Sequence, residues 1–78
     1  MTKAVIEANN LINDFEKVYG LNKEKAIEVS IVVAQGKFYE YMIKVLKKKT
    51  DNLDTPNDRK CVHWENVVNH LGLLKQML

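Results

Sequence analysis

The chain has 78 residues, of which 46% are hydrophobic and 28% charged, and its formal net charge is +2. This length predicts a single domain over residues 1–78, with marginal stability because so short a chain buries only about 60% of its unfolded surface. The weak positive charge does not by itself indicate a nucleic-acid partner. Paired acids, a nucleophile–base set and a phosphate-binding loop are all missing from the sequence, so we expect no enzymatic activity.

Cysteine content and hydropathy predict a compartment. Cys61 is the single cysteine, so an internal disulfide cannot form, which is typical of a reducing compartment. Residues 1–7 lack the apolar core of a signal peptide, and the apolar runs fall short of the ~20 residues of a membrane span. We therefore expect a cytoplasmic protein with no membrane contact. Arg59 is the single arginine and asparagine is frequent, which is typical of an AT-rich bacterial or phage coding sequence.

The first predicted element is an amphipathic helix over residues 3–19. Thr2 is a suitable N-cap, and Gly20 is suited to end the helix. The short link over residues 19–22 favours an antiparallel hairpin with the next helix. The apolar stripe of this helix consists of Ala4, Val5, Ala8, Leu11, Ile12, Phe15, Val18 and Tyr19.

The second predicted element is a long central helix over residues 22–49. Asn22 is a good N-cap, and lysines at the far end suit the negative end of the helix dipole. Such a helix would be about 40 Å long. Its apolar residues recur every three or four positions, as in Ile27, Ile31, Ala34, Phe38, Met42 and Val45.

A β-hairpin over residues 26–46 is the alternative interpretation of the same stretch. Valine, isoleucine and tyrosine alternate with other residues on either side of Gly36, and a glycine there suits a type II′ turn. We favour the helix because the N-cap and the terminal lysines frame one long element, and an isolated hairpin is marginally stable. In the helix, Gly36 would either kink the axis or let another helix approach closely.

The third predicted element is a helix from Pro56 to about Leu71. Residues 50–55 form a polar connector, Thr55 is a suitable N-cap, and proline is favoured at the first helical position. We expect Gly72 to end this helix and the apolar residues 73–78 to form a short helix that packs on the core or on a second copy. The predicted fold is therefore all-α: a small three-helix bundle, or a four-helix bundle counting the tail, built on an N-terminal helical hairpin with a long central helix.

The apolar surface of the central helix predicts how the protein acts. This surface is too broad for two other helices of so short a chain to cover, so we expect part of it to bind another protein. The hypothesis is a non-enzymatic regulatory or adaptor protein that binds a protein partner, with a second copy of itself as one such partner in a homodimer. The predicted interface residues are Ile31, Val32, Tyr39, Tyr41 and Ile43.

The alternative hypothesis is a DNA-binding regulator that uses the third helix and the basic residues around the connector. Basic side chains neutralise phosphates, and Arg, Asn and His can contact base edges. The same residues are also explained by helix-dipole compensation and a solvated polar face. The candidate residues are Lys47, Lys48, Lys49, Arg59, Lys60, His63, Asn66 and His70.

Metal-binding and catalytic residue types occur without a suitable arrangement. His63 and His70 are two helical turns apart, about 10 Å along the axis, so one ion cannot join them. Cys61 and Glu65 are one turn apart, but two ligands do not complete a zinc site. We therefore predict no metal site, no cofactor and no catalytic residue, and interpret Cys61 as a small buried hydrophobe.

Overall fold

The computed structural model describes residues 2–47 and 56–78, and within these ranges the protein consists of three α-helices. Helix α1 covers Lys3–Lys17, α2 covers Lys23–Lys47 and α3 covers Pro56–Gln76. The three helices pack against one another. The predicted all-α bundle is therefore confirmed, and the β-hairpin interpretation of residues 26–46 is wrong. The predicted connector and its Thr55 cap lie outside the described residues, as do Lys48 and Lys49.

The predicted N-caps form the starts of the first two helices. The amide of Val5 donates to the Thr2 hydroxyl at 3.3 Å, and the amide of Lys25 donates to the Asn22 side-chain oxygen at 2.8 Å. Each bond satisfies an amide that has no partner within its helix. These two caps therefore set where α1 and α2 begin.

A left-handed glycine reverses the chain between α1 and α2. Gly20 has a φ of +67°, a conformation that costs a glycine little, and the amide of Leu21 donates to the Phe15 carbonyl at 3.1 Å. Helix α1 ends at Lys17, two residues before the predicted end. Val18 and Tyr19, which the sequence placed on the apolar stripe of α1, are therefore exposed.

Gly72 does not end α3, contrary to the sequence prediction. The helix passes through Gly72 and continues to Gln76, so residues 73–76, which were predicted to form a separate short helix, are part of α3. Leu71 is fully buried one residue before the glycine, and Leu74 packs against the core two residues after it. Apolar contacts on both sides outweigh the cost of about 1 kcal/mol that glycine imposes on a helix.

The helices alternate in direction. Lys60 on α3 lies 5.4 Å from the Tyr41 ring of α2, whereas Leu74 on α3 lies in the same pocket as Lys23 at the start of α2. Helices α2 and α3 are therefore antiparallel. His63 of α3 lies near Glu7 at the start of α1, and Leu74 lines a pocket with Glu16 near the end of α1, so α1 and α3 are parallel.

Small residues dominate the buried centre of the bundle. Ala26, Ser30 and Ala34 recur every four residues on α2, and Ala4 and Ala8 do so on α1. Small side chains let neighbouring helices approach closely, and the Ser30 hydroxyl is satisfied by a 2.6 Å bond to the Ala26 carbonyl. The larger buried side chains are Ile12, Ile27, Val67 and Leu71.

Helix α1 is too short to cover all of α2. It has 15 residues and α2 has 25, which correspond to about 22 and 37 Å. All the buried residues of α2 fall between Ala26 and Ala34. Beyond Ala34, α2 has residues such as Phe38 and Tyr41 that are only half-buried.

Two leucines of opposite exposure test this description of the core. Leu71→Ala removes a fully buried side chain, whereas Leu46→Ala makes the same chemical change at a side chain that is 75% exposed. We expect Leu71→Ala to lower the free energy of unfolding by about 2–5 kcal/mol and Leu46→Ala to change it by less than about 0.5 kcal/mol. Urea titration at low protein concentration measures both values. Similar losses for the two variants would contradict the assignment.

Two glycines should respond in opposite directions to alanine substitution. A Cβ built at Gly36 meets no neighbouring atom within 4 Å, so Gly36→Ala should raise the free energy of unfolding by about 1 kcal/mol. Gly20→Ala should lower it by about 1–2 kcal/mol because alanine is strained at positive φ. Urea titration of both variants measures the difference. A stabilised Gly20→Ala variant would refute the left-handed turn.

Candidate protein-binding face

The side of α2 that faces away from the core carries a second row of apolar residues. Its positions are separated by alternating steps of three and four residues, the spacing of a coiled-coil seam. At 100° per residue, the middle of this row lies roughly 165° around the helix from the middle of the buried residues. We call the row the outer stripe; it consists of Val29, Val32, Gly36, Tyr39, Ile43 and Leu46.

Most of the outer stripe is open to solvent. The side chains of Val32 and Leu46 are 67% and 75% exposed, and those of Tyr39 and Ile43 are 54% and 48% exposed. Val29, at the N-terminal end, is half-buried. Scattered exposed hydrophobic residues are ordinary, but a contiguous apolar row of this kind marks a surface suited to binding.

Ion pairs beside the outer stripe are too weak to explain it. Glu40 lies 3.9 Å from Lys37 and 3.7 Å from Lys44, and all three side chains are about half exposed. Such pairs contribute about 0.3–0.5 kcal/mol each to helix stability. They support α2 along its flank and do not cover the apolar row, in which the Val32 and Leu46 side chains are 67% and 75% exposed.

The predicted interface residues divide between two sides of α2. Val32, Tyr39 and Ile43 lie on the outer stripe and are exposed. Ile31 packs against the core. Tyr41 is half-buried, with Lys44 5.0 Å from its ring centroid.

The sequence prediction did not include Val29, Gly36 and Leu46 in the interface. The signal that identifies them is the regular alternation of three- and four-residue steps through Val32, Tyr39 and Ile43. Extending that alternation in both directions adds Leu46 at one end and Val29 at the other, and it places Gly36 inside the row.

The outer side of α3 lacks a comparable row in the described part of the chain. Val62 and Leu73 are 55% and 58% exposed, but Asn66 and Asn69 lie between them on the exposed surface. Polar side chains therefore interrupt the apolar surface of α3. The outer stripe of α2 is the better candidate for a binding face.

The candidate polar face of α3 is partly occupied by contacts within the bundle. His63 lies 3.8 Å from a Glu7 oxygen of α1 and packs edge-on against Trp64 at 5.3 Å between ring centroids. Lys60 lies over the Tyr41 ring.

The other described candidate residues for nucleic-acid binding differ in how far they are exposed to solvent. Asn66 and Arg59 are exposed, His70 is half-buried, and Lys47 is exposed at the end of α2. Arg59 also has an interaction within the chain. The spacing of the α3 residues places them on one side of that helix, but His63 and His70 are half-buried, so that side is only partly open to solvent.

Two shallow pockets lie along α1. One, of about 240 Å³, is lined by Lys3, Ile6, Glu7, Asn10 and His63. The other, of about 290 Å³, lies at the opposite end of α1 and includes Lys23 and Leu74. Both volumes fall below the range of about 300–1,000 Å³ that is typical of small-molecule sites.

Within the described ranges, no group of three metal-capable side chains lies close enough to hold an ion. Cys61 is half-buried, whereas the sequence predicted burial. Partial burial raises the pKa of the Cys61 thiol, and the nearby carboxylates of Glu65 and Asp58 raise it further by smaller amounts. A raised pKa lowers the thiolate fraction and hence the nucleophilicity of the sulfur at neutral pH. This environment is the opposite of the one that activates a catalytic cysteine.

Hydropathy and similarity to known proteins give two further findings. None of the helices α1, α2 and α3 is both long enough and apolar enough to cross a bilayer. Searches against family models, curated proteins and solved structures find no match for this chain.

The environment of Cys61 predicts slow alkylation. Because its pKa is raised, a smaller fraction of the thiol is ionised at a given pH in the folded protein than in the unfolded chain. We expect iodoacetamide to react more slowly with the folded protein near pH 7.5 and the rate to rise at a higher pH than in denaturant. Mass spectrometry across a pH series measures both profiles. Coincident profiles would contradict the effect of burial.

Proposed function

We propose that the protein is a small non-enzymatic regulatory or adaptor protein that acts by binding a partner protein through the outer stripe of α2. The observation that carries this proposal is an apolar row of coiled-coil spacing on the side of α2 opposite the core. Helices that present such rows bind partner helices or apolar grooves through the anchors at every third and fourth residue.

The distribution of exposed residues supports an interface at the C-terminal half of α2. Tyr39, Ile43 and Leu46 lie in the part of α2 that extends past the buried segment between Ala26 and Ala34. Tyrosine is among the residue types that contribute most to binding at protein interfaces, and the buried centre of an interface is apolar. A partner that covers this half would add the packing that α1 is too short to supply.

A pair of aspartate substitutions tests the proposal. Ile43→Asp places a charge in the middle of the outer stripe, and Asn66→Asp places the same charge on the exposed side of α3. We expect Ile43→Asp to reduce capture of the partner from an extract of the native host by at least about tenfold, since an interface anchor contributes about 2 kcal/mol or more. Asn66→Asp should capture the partner as the unchanged protein does.

The proposal fails if Ile43→Asp captures the same partner as fully as the control variant. Circular dichroism should show the same helix content in both variants, because both positions are exposed. A gel-shift with duplex DNA separates the proposal from the DNA-binding hypothesis. Binding at low salt that collapses as salt is added, and that Arg59→Ala abolishes, would favour DNA over a protein partner.

A further inference from the structure

The outer stripe has the same spacing in both directions along α2. Its six positions are separated by steps of three, four, three, four and three residues. A second α2 laid antiparallel on the first therefore brings every position of one stripe level with a position of the other. Val29 meets Leu46 of the second copy, Val32 meets Ile43, and Gly36 meets Tyr39. In a parallel pair, each position would instead meet itself.

The meeting of Gly36 with Tyr39 makes the antiparallel arrangement complementary in shape. Gly36 has no side chain, and a Cβ built there meets no neighbouring atom within 4 Å, so the helix surface has a gap at this position. Tyr39 is the largest side chain of the stripe and is 54% exposed. In the antiparallel pair each Tyr39 ring enters the gap above the other copy's Gly36. A parallel pair would place two rings together beside an empty space.

We propose that the partner that covers the outer stripe is a second copy of this chain, bound antiparallel with Tyr39 of each copy against Gly36 of the other. The inference rests on the proposed function, because it names the occupant of the same face. The interface is symmetric about a two-fold axis that crosses α2 between Gly36 and Tyr39. Closed two-fold dimers of this kind are the commonest form of self-association.

Charges beside the stripe do not oppose this pairing. Glu28 and Glu40 lie on opposite edges of the stripe, and an antiparallel two-fold pair brings each edge against the same edge of the other copy. The position of the second copy that is level with Glu28 is Lys47, and the position level with Glu40 is Gln35. The acidic side chains therefore avoid one another.

The exposed area of the stripe predicts how tightly the copies bind. The four exposed side chains present on the order of 500 Å² of accessible surface per copy. A dimer that buries this surface on both copies would bury about 1,000 Å² in total, slightly below the ~1,200 Å² of a stable specific interface. We therefore expect a reversible dimer with a dissociation constant in the micromolar range. Sedimentation equilibrium should show monomer at nanomolar concentration and dimer near 100 μM.

Disulfide trapping tests the direction of the pair. In a Cys61→Ser background, Val32→Cys and Ile43→Cys chains should cross-link to each other when mixed and oxidised, because these positions meet. Neither variant should cross-link efficiently to itself, since like positions are about 16 Å apart along the axis and a disulfide requires Cα atoms within about 7 Å. Efficient self-cross-linking of Val32→Cys, or no mixed product, would overturn the antiparallel pair.

A size exchange tests the contact between Gly36 and Tyr39. Gly36→Leu fills the gap and should raise the dissociation constant of the dimer at least tenfold. The double variant Gly36→Leu, Tyr39→Ala removes the ring that no longer fits and should bring the constant back to within about threefold of the original. Helix content by circular dichroism confirms folding, which the glycine replacement favours. Unchanged or tighter dimerisation by Gly36→Leu alone would overturn the contact.

The outcomes separate this inference from the proposed function. If the protein stays monomeric at 100 μM while an Ile43-dependent partner is still captured from extract, the second-copy inference is wrong and the proposed function stands. If the mixed disulfide forms and the size exchange restores dimerisation, but Ile43→Asp reduces the capture of no other protein from extract, the dimer stands and the adaptor function fails.

Discussion

The structure depends on close packing of small residues over a short length of three helices. Ala8, Ala26 and Ala34 have no exposed surface, and they occupy the region in which α1, α2 and α3 meet. Small residues bring helices close together but bury little apolar surface per residue. The larger buried side chains, Ile27 and Leu71 among them, therefore contribute much of the hydrophobic stabilisation from a few positions. A core of this kind holds the helices in place and leaves stability modest.

The unequal lengths of the helices determine which surface remains available. The buried residues of α2 end at Ala34, because α1 is too short to reach further along it. Within the described residues, the second half of α2 packs on α3 and has apolar side chains on most of its sides. One side of this half packs on α3 around Tyr41 and Lys60. The other side has no neighbour within the described residues. The outer stripe thus follows from the geometry of the fold.

The sequence correctly predicted the ends of helices that are determined by a single capping side chain. Thr2 and Asn22 cap their helices as expected, because a hydroxyl or amide oxygen next to free amides is sufficient. Gly72 was predicted wrongly since the packing of Leu74, a tertiary effect, keeps the helix intact. The interface prediction combined Ile31, which packs on the core, with the exposed Val32 because a helix that is apolar on most sides has no single obvious face. The small residues at every fourth position are the signal that marks the inward side.

Gly36 is the residue that the fold of one chain does not explain. It lies in the middle of α2 on the exposed side, where glycine costs about 1 kcal/mol relative to alanine, and a side chain there would meet no neighbouring atom. Close approach within the chain, which the sequence suggested, does not occur. An antiparallel second copy supplies the missing reason, because the space above Gly36 then receives the ring of Tyr39. In that account the glycine weakens the helix of the monomer slightly and shapes the surface that two copies share.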